Sequence, residues 1–449
     1  MRKSGVVLLV FFVLLSVSSF SFHAEKNSDA NTIYVDDDNT DGPWDGSIDH
    51  PFQYIQDGID AADSFEIVYV LNGTYFENIV IEKMVFLSGE SRINTIINAG
   101  GKKDAAVTLK SPNIEVSGLT VTNASGGWLD YCAGFKILAD NCKIYNTTIK
   151  DNMFGIQGSH VTNISIINNR FINDGILFGR GDVNSDLRDY HHNIFKNTVN
   201  GKPLVYLENK HNYLFSGEVG QLILVNSTNV TIDEININNT DFPVICSYCK
   251  NCKIIDSMIN NCTGEIWLTN CEDFIVKNNE ISSIAIGVCL QFNSNNNTIQ
   301  NNNILNCTLS GISIQSNSKN NKIKDNLATN NNKGMSIEDS KENIILNNTF
   351  LKNKKGGIIL SRSNENNIFY NNFILNNIPS ACIVNSFFNS WEENYWSRCQ
   401  SPPKIIPGFI SIGNYYIYNS CFPLPSIITY LNFDFCPKVI PYDMGGLFL

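Results

Sequence analysis

One motif returns along the chain at an interval close to 22 residues, and it limits the possible folds more than any other feature. It consists of an apolar anchor, often with Asn three positions before it, and a second apolar residue five positions after. The anchors are Val116, Ile144, Ile166, Ile194, Leu214, Ile232, Ile254, Val276, Ile299, Ile323, Ile345 and Phe369. From Ile232 onward the spacings are 22, 22, 23, 24, 22 and 24 residues. Helical repeats run longer, to about 33 residues or more, and the Leu-x-x-Leu-x-Leu frame of leucine-rich repeats is missing. No apolar stripe of period 3.6 crosses the units. Short alternating β segments broken by polar turns at this interval match one coil of a right-handed parallel β-helix, an all-β solenoid of about 22–24 residues per coil.

The period gives the many asparagines a place. Asn113, Asn141, Asn163, Asn229, Asn251, Asn296, Asn320 and Asn366 lie three residues before an anchor, and Asn169, Asn197, Asn279, Asn302, Asn326, Asn348 and Asn372 three after. Residues at one offset in successive coils stack roughly 4.8 Å apart, the spacing of parallel strands. Asn amides at that spacing can bond coil to coil, and Asn tolerates the left-handed turn conformation. These asparagines are therefore expected to form turn ladders.

A stack of coils needs covered ends, because an open last coil is a sheet edge. "HPFQYIQDGIDAAD" places Phe52, Ile55, Ile59 and Ala62 on one helical face behind Pro51, as an N-terminal capping helix would. "NSWEENYWS" and the Pro- and aromatic-rich tail from Gln400 break the period and are expected to form an irregular C-terminal cap. Before the first coil, Arg2, Lys3 and the apolar run Gly5–Val17 read as a secretory signal, with cleavage after Ser21 or Ala24. The expected division is a signal peptide (1–24), an N-terminal cap with first coils (25–100), β-helix repeats (101–385) and a C-terminal cap and tail (386–449). No later run is long enough to span a bilayer, so no integral span is expected once the signal is removed. A net charge of -11 argues against a nucleic-acid partner and is compatible with glycans or bound cations.

The rhythm fails between Ile166 and Ile194, a spacing of 28 residues. This longer coil carries Arg180, Asp182, Asp186, Arg188, Asp189, Tyr190, His191 and His192. A loop on a rigid scaffold is a common place for ligand contacts, and Asp182, Asp186, Arg188, Asp189 and His192 are the candidate acid, base and binding groups. Glu234 and Asp256 share one offset on adjacent coils and could together bind a cation or share a proton. The same offset elsewhere holds Asn, so a turn role competes with the functional one. In "DDDNTDG", Asp37, Asn39 and Asp41 alternate as in the first half of a calcium loop. The closing Glu of such a loop is replaced by Ile48, and Ca2+ is the single cofactor the sequence leaves open. Of the 13 cysteines, Cys249 and Cys271 share one offset, as do Cys262 and Cys307. Stacked small core residues, disulfides and a metal knot at "CSYCKNC" all remain open for them.

Three stretches carry a family resemblance. "IYVDDDNTDGPWDGSIDHPFQYIQDGIDAA", "NTVNGKPLVYLEN…GQLILVNSTNVTI" and "NYWS" with the later "LNFDF" together resemble secreted, archaeal-type β-helix proteins of the NosD-like or CASH class with PbH1 repeats. The resemblance implies the pectin lyase-like fold and a surface location, without naming a reaction, since one fold hosts many functions. "NTD" at Asn239–Asp241 and "SGISI" at Ser310–Ile314 resemble fragments of polygalacturonase-type sites, whose partner elements are absent. Copper handling, which the NosD label implies, needs clustered Met, Cys or His, and the 6 His and 6 Met are scattered. The expectation is thus an exported surface β-helix whose partner is polysaccharide or cell-envelope glycan, bound without catalysis. The alternatives are a polysaccharide lyase, hydrolase or epimerase acting on an acidic glycan, and an accessory protein in metal handling.

Overall fold

The computed structural model describes residues 32–126, 132–179, 186–398, 404–411, 427–434, 437–438 and 441–442. The segment expected to be a signal peptide, Arg180 and Asp182 and most of the tail after Gln400 lie outside the described residues.

The period builds the expected parallel β-helix, in which each anchor pairs with the next. Val116, Ile144, Ile166 and Ile194 stand in register across neighbouring parallel strands, as do Ile232, Ile254, Val276, Ile299, Ile323 and Ile345. Each anchor is buried, and its flanking residues point outward, which is the period-2 pattern of a half-buried strand. A first stack of coils has a seven-stranded sheet from Thr32–Val35 to Asn193–Phe195 and a five-stranded sheet from Ile79–Ile81 to Ile176–Phe178. A second stack has a nine-stranded sheet from His211–Phe215 to Ser390–Glu392 and an eight-stranded one from Asn236–Asn238 to Tyr395–Trp396.

The two stacks are joined by a reversal that the period did not reveal. Thr198–Val199 pairs antiparallel with Lys202–Glu208 across Asn200-Gly201, whose φ values are 49° and 82°. Positive φ at both central residues is the mirror-image hairpin turn that Asn-Gly favours. The third sheet of the first stack thereby continues as the third sheet of the second, with strand direction inverted. Strands of this continuation are buried on both faces. Leu222, Leu224, Val244, Cys246, Ile266 and Leu268 enter the second core, while Ile223, Ile245, Trp267 and Cys289 between them enter the first. Such double burial explains the continuous apolar runs "LILV", "VIC" and "IWL".

Two anchors are corrected. Phe215, not Leu214, is in register with Ile232, and Leu214 is exposed. Ile368, not Phe369, follows Ile345, so Asn371 rather than Asn372 continues the ladder from Asn348, and Asn366 belongs to an interior one. A slip of one residue turns a strand over, which is why both errors move a side chain from core to surface.

The capping helix forms over Ile55–Ala61, burying Ile55 and Ile59 against the first strands. Glu77 accepts from the amides of Ile55 and Gln56 and so closes the helix start. At the other end the cap is more regular than expected. Lys404–Ser411 and Ile427–Asp434 form an antiparallel hairpin, and Ile383 and Val384 pair with it in parallel. Buried Asp434 receives the Asn394 backbone and side-chain N–H groups and the Trp396 indole N–H, ending the ladder with a group that only accepts.

Candidate functional site

Chemistry-bearing side chains gather in two places: the junction between the stacks and one corner of the second stack. At the junction, the described parts of the long coil, up to residue 179 and from 186, are packed into the fold rather than projecting. Ile176–Phe178 enters the five-stranded sheet with all three residues buried, and Leu187–Tyr190 forms a short 3-10 turn. Asp186 caps this turn by accepting from the Arg188 amide at 2.8 Å, while Asp189 accepts from the Asp186 amide at 3.1 Å. The Arg188 guanidinium returns to Asp186 at 2.7 Å and holds that carboxyl below its usual range. Asp189 lies 3.4 Å from His160, and burial raises its pKa. His192 is buried against the Phe178 ring, with Nε2 2.9 Å from the Asp189 carbonyl and Nδ1 accepting from the Ile164 amide. Burial pushes its pKa down to about 3, so it is neutral and structural. His191 pairs with Glu208, and the Tyr206 hydroxyl donates to the Tyr190 carbonyl. The candidates Asp186, Arg188, Asp189 and His192 are thus brought together, but as the plug that closes the first stack. The cavity beside them, lined by Phe178, Tyr190, His192 and Tyr206 among others, measures only about 10 Å³.

Glu234 and Asp256 do stack, one coil apart, in the column that continues through Asn278, Asn301, Asp325 and Asn347, the offset that Asn146 and Asn168 hold in the first stack. All of these have φ between 50° and 59°. Asp256 accepts from Asn278 Nδ2 at 3.0 Å, as a ladder member would. At the N-terminus, Asp37 accepts from the Thr74 amide at 2.9 Å and Asn39 donates to the Pro51 carbonyl at 2.7 Å, while Asp41 is exposed. These side chains are committed to turns rather than gathered around one point.

Sequence reasoning missed a buried carboxyl pair at the junction. Asp174 accepts from the Asn152 amide and side chain at 3.0 and 2.7 Å. Asp241, from the second stack, accepts from the Gly155 and Gly175 amides at 2.7 and 2.8 Å. Burial raises both, Asp241 to about 7, and the mutual repulsion adds to the shift of Asp174. The pair fastens one stack to the other. Its signal was present in "NTD" but only the reversal makes the contact, and the reversal was not recognised.

The second place is a corner of the second stack, between its eight-stranded sheet and the shared sheet. Asn306, Cys307, Thr308, Asn330, Asn332 and Lys354 line an open cleft of about 280 Å³ there. A buried ladder underlies it: Asn331 accepts from the Cys307 amide at 2.8 Å, Asn353 from the Asn331 amide and Asn376 from the Asn353 amide, both at 3.0 Å. The outward backbone is fixed too, since the amides of Asn332 and Lys354 donate to the coil before them at 2.9 Å. Amides and a hydroxyl at fixed coil spacing supply the donor and acceptor mixture that sugar hydroxyls match. A sequence signal is the shared offset of "NCT", "NNNK" and "KNKK" in successive coils, which the anchor period by itself does not single out.

The described cysteines are all buried free thiols. Cys249 and Cys271 share their column with Ser227, Ser294, Ser318, Ser340, Ser363 and Ser386 and donate to backbone carbonyls as hydroxyls would. Burial raises the thiol pKa values of Cys246 and Cys249, and that of Cys307 to about 12.

Among curated proteins none matches this chain. The A-module of mannuronan C-5 epimerase AlgE4 of Azotobacter vinelandii is similar at 14% identity and a TM-score of 0.36, over 81% of this chain and 87% of that one. PfbA, a surface adhesin of Streptococcus pneumoniae, is similar at 14% identity and 0.28, over 78% and 91%. DFA-IIIase from Arthrobacter chlorophenolicus A6 is similar at 13% identity and 0.33, over 73% and 83%. A family model described as periplasmic copper-binding protein (NosD) matches residues 195–420, just over half of the chain. The archaeal character of the resemblance finds no support in these matches. The donors do not fit a resident copper: among the described residues no three His, Cys, Asp or Glu side chains converge as a metal site would require. The matched segment begins at the reversal and covers the second stack, and by it the chain belongs to the NosD family.

Proposed function

We propose that the protein is an exported surface β-helix that binds polysaccharide or cell-envelope glycan along the corner cleft of its second stack, without reacting on it. The observation that carries this is the cleft itself. Asn306, Thr308, Asn330, Asn332 and Lys354 present polar groups from three successive coils on a backbone pinned by the Asn331–Asn353–Asn376 ladder. A rigid array loses little conformational entropy when it binds. The periplasmic description of the family supports export, and no helix among the described residues is long and apolar enough to cross a membrane. Screening the mature chain on a glycan array tests the reading. Thr308→Ala with Asn332→Ala should weaken every bound glycan, and unchanged binding by this folded variant would remove the cleft from consideration.

A polysaccharide-processing activity is the second reading. It is favoured by the raised Asp189 carboxyl beside His160 with Arg188 on the same turn. Incubation with acidic polysaccharides and analysis for cleavage, unsaturated ends or epimerised residues decides it, with Asp189→Asn as the control.

A further inference from the structure

The corner that holds the cleft differs in charge from the rest of this acidic chain. In successive coils it is formed by residues 260–264, 282–285, 305–309, 328–333, 351–357 and 374–380, and these segments contain no Asp or Glu. They contain four lysines, Lys333, Lys352, Lys354 and Lys355, in a chain with 43 acidic and 32 basic residues. Lys352 and Lys354 are exposed, and Lys333 stands on the preceding coil, roughly 4.8 Å away along the axis. Leu375 and Ile378, 44% and 74% exposed, border the same face one coil further on. The other charged corner of this stack is mixed in sign: Lys250 meets Glu272 at 2.7 Å, Arg362 meets Glu338 and Asp339 at 2.6 Å, and Lys341 meets Glu342 at 3.0 Å.

Resting on the reading of the cleft as a glycan site, we infer that its ligand is an anionic polysaccharide bearing carboxylates. The Asn and Thr groups take the sugar hydroxyls and the exposed Lys352 and Lys354 take the charges. A net charge of -11 repels a polyanion from the molecule as a whole, so attraction has to be local. At 0.1 M salt the Debye length is about 10 Å, which spans roughly two coils and lets these lysines act as one patch screened from the acids beyond.

The test uses the mature chain with polygalacturonate and its fully methyl-esterified form, which share a backbone and differ in charge. Polygalacturonate should bind more tightly, and its advantage should fall as salt rises. Lys352→Gln with Lys354→Gln should weaken polygalacturonate by about tenfold, at roughly threefold per exposed lysine, and leave the ester unchanged. Lys250→Gln, on the paired corner, should change neither. Equal binding of both polymers, or loss of charge preference with Lys250→Gln but not with the double variant, overturns the inference while the glycan reading stands. Failure of both polymers and of the whole glycan array, with a native circular dichroism spectrum, overturns both.

Discussion

Asn347 and Asn348 are neighbours of one residue type with opposite duties, and replacing each by Ala separates the two roles of Asn in this solenoid. Asn347 is exposed with φ 54°, so its task is conformational. Ala in that region costs about 1–2 kcal/mol, and Gly costs less. Asn348 is fully buried and bonds in both directions along the axis. Its Oδ1 accepts from the Asn326 amide at 3.0 Å and from Asn326 Nδ2 at 2.9 Å. Its Nδ2 donates to the Ile323 and Leu346 carbonyls at 2.8 and 3.0 Å and to Asn371 Oδ1 at 3.0 Å. Asn348→Ala strands the Asn326 N–H and deprives two carbonyls of a donor. At about 1–3 kcal/mol for an unmet buried group, a loss of roughly 2–4 kcal/mol follows after partial relaxation. Urea midpoints at constant m-value give the comparison. Because a stack can open at one end first, amide exchange at Asn326 supplies the local measure. It should accelerate in Asn348→Ala and not in Asn347→Ala. If Asn347→Ala costs as much as Asn348→Ala, the interior ladder does not hold the coils together and the reasoning fails.

The buried carboxyl pair makes stability pH-dependent. Asp241 titrates near 3.8 unfolded and about 7 folded, so its contribution is present below about 4 and lost as pH rises towards 7. Asp241→Asn keeps an acceptor for Gly155 and Gly175 and should melt increasingly above wild type between pH 4 and 7.5, as calorimetry would show; a constant difference counts against the pair. His192 has the opposite sign: held neutral with a folded pKa of about 3, it costs stability as pH falls below 6.5. Relative to His192→Gln, wild type should therefore lose melting temperature from pH 6.5 downward. Gly311 packs so closely that a Cβ would sit 2.6 Å from the Gly334 carbonyl oxygen, and Gly311→Ala should cost about 1–3 kcal/mol in urea unfolding. Cys249→Ser should cost less than about 1 kcal/mol by the same measure, because Ser holds that column in neighbouring coils and a hydroxyl can donate as the thiol does.

The sequence displayed what is periodic and concealed what happens once. Ile254, Val276, Ile299 and Ile323 could be placed because each repeats its neighbour's environment, and their asparagines followed. Phe369 was misplaced because Ile368 and Phe369 are both apolar and spacing alone cannot choose between them. Asn200-Gly201 between two apolar runs is the strongest short-range hairpin sign, but a period of parallel coils has no place for an antiparallel pair and so conceals the reversal. That omission propagated. Without the second stack folding onto the first, the extra residues before Ile194 looked like a loop in solvent, and Asp189, Tyr190 and His192 looked available. Leu177, Phe178 and Tyr190 argued otherwise, since a solvated loop has no use for three large apolar side chains.

The same geometry narrows where a ligand can meet this molecule. The shared sheet is occupied on both faces between Gln221 and Gln291, so no ligand reaches it there. Of the three corners of the second stack, the one through Glu272 and Glu338 mixes both signs and pairs Lys250, Lys341 and Arg362 with carboxylates, and such exposed pairs offer a ligand little. The corner through Glu234 and Asp256 consists of left-handed turn residues, of which Asn278 and Asp256 bond along the axis. Buried ladders do axial bonding under each corner, through Asn321, Asn343 and Asn366, through Asn326, Asn348 and Asn371, and through Asn331, Asn353 and Asn376. At the third corner the outward segments carry lysines and amides with no carboxylate among them. This third corner therefore carries, in Asn332 and Lys354, side chains outside the left-handed turn positions whose replacement should cost the fold little and be felt in binding. Stability and glycan affinity measured on Asn332→Ala and Asn331→Ala test that division, with Asn331→Ala destabilising by roughly 2–4 kcal/mol and Asn332→Ala by less than about 0.5 kcal/mol.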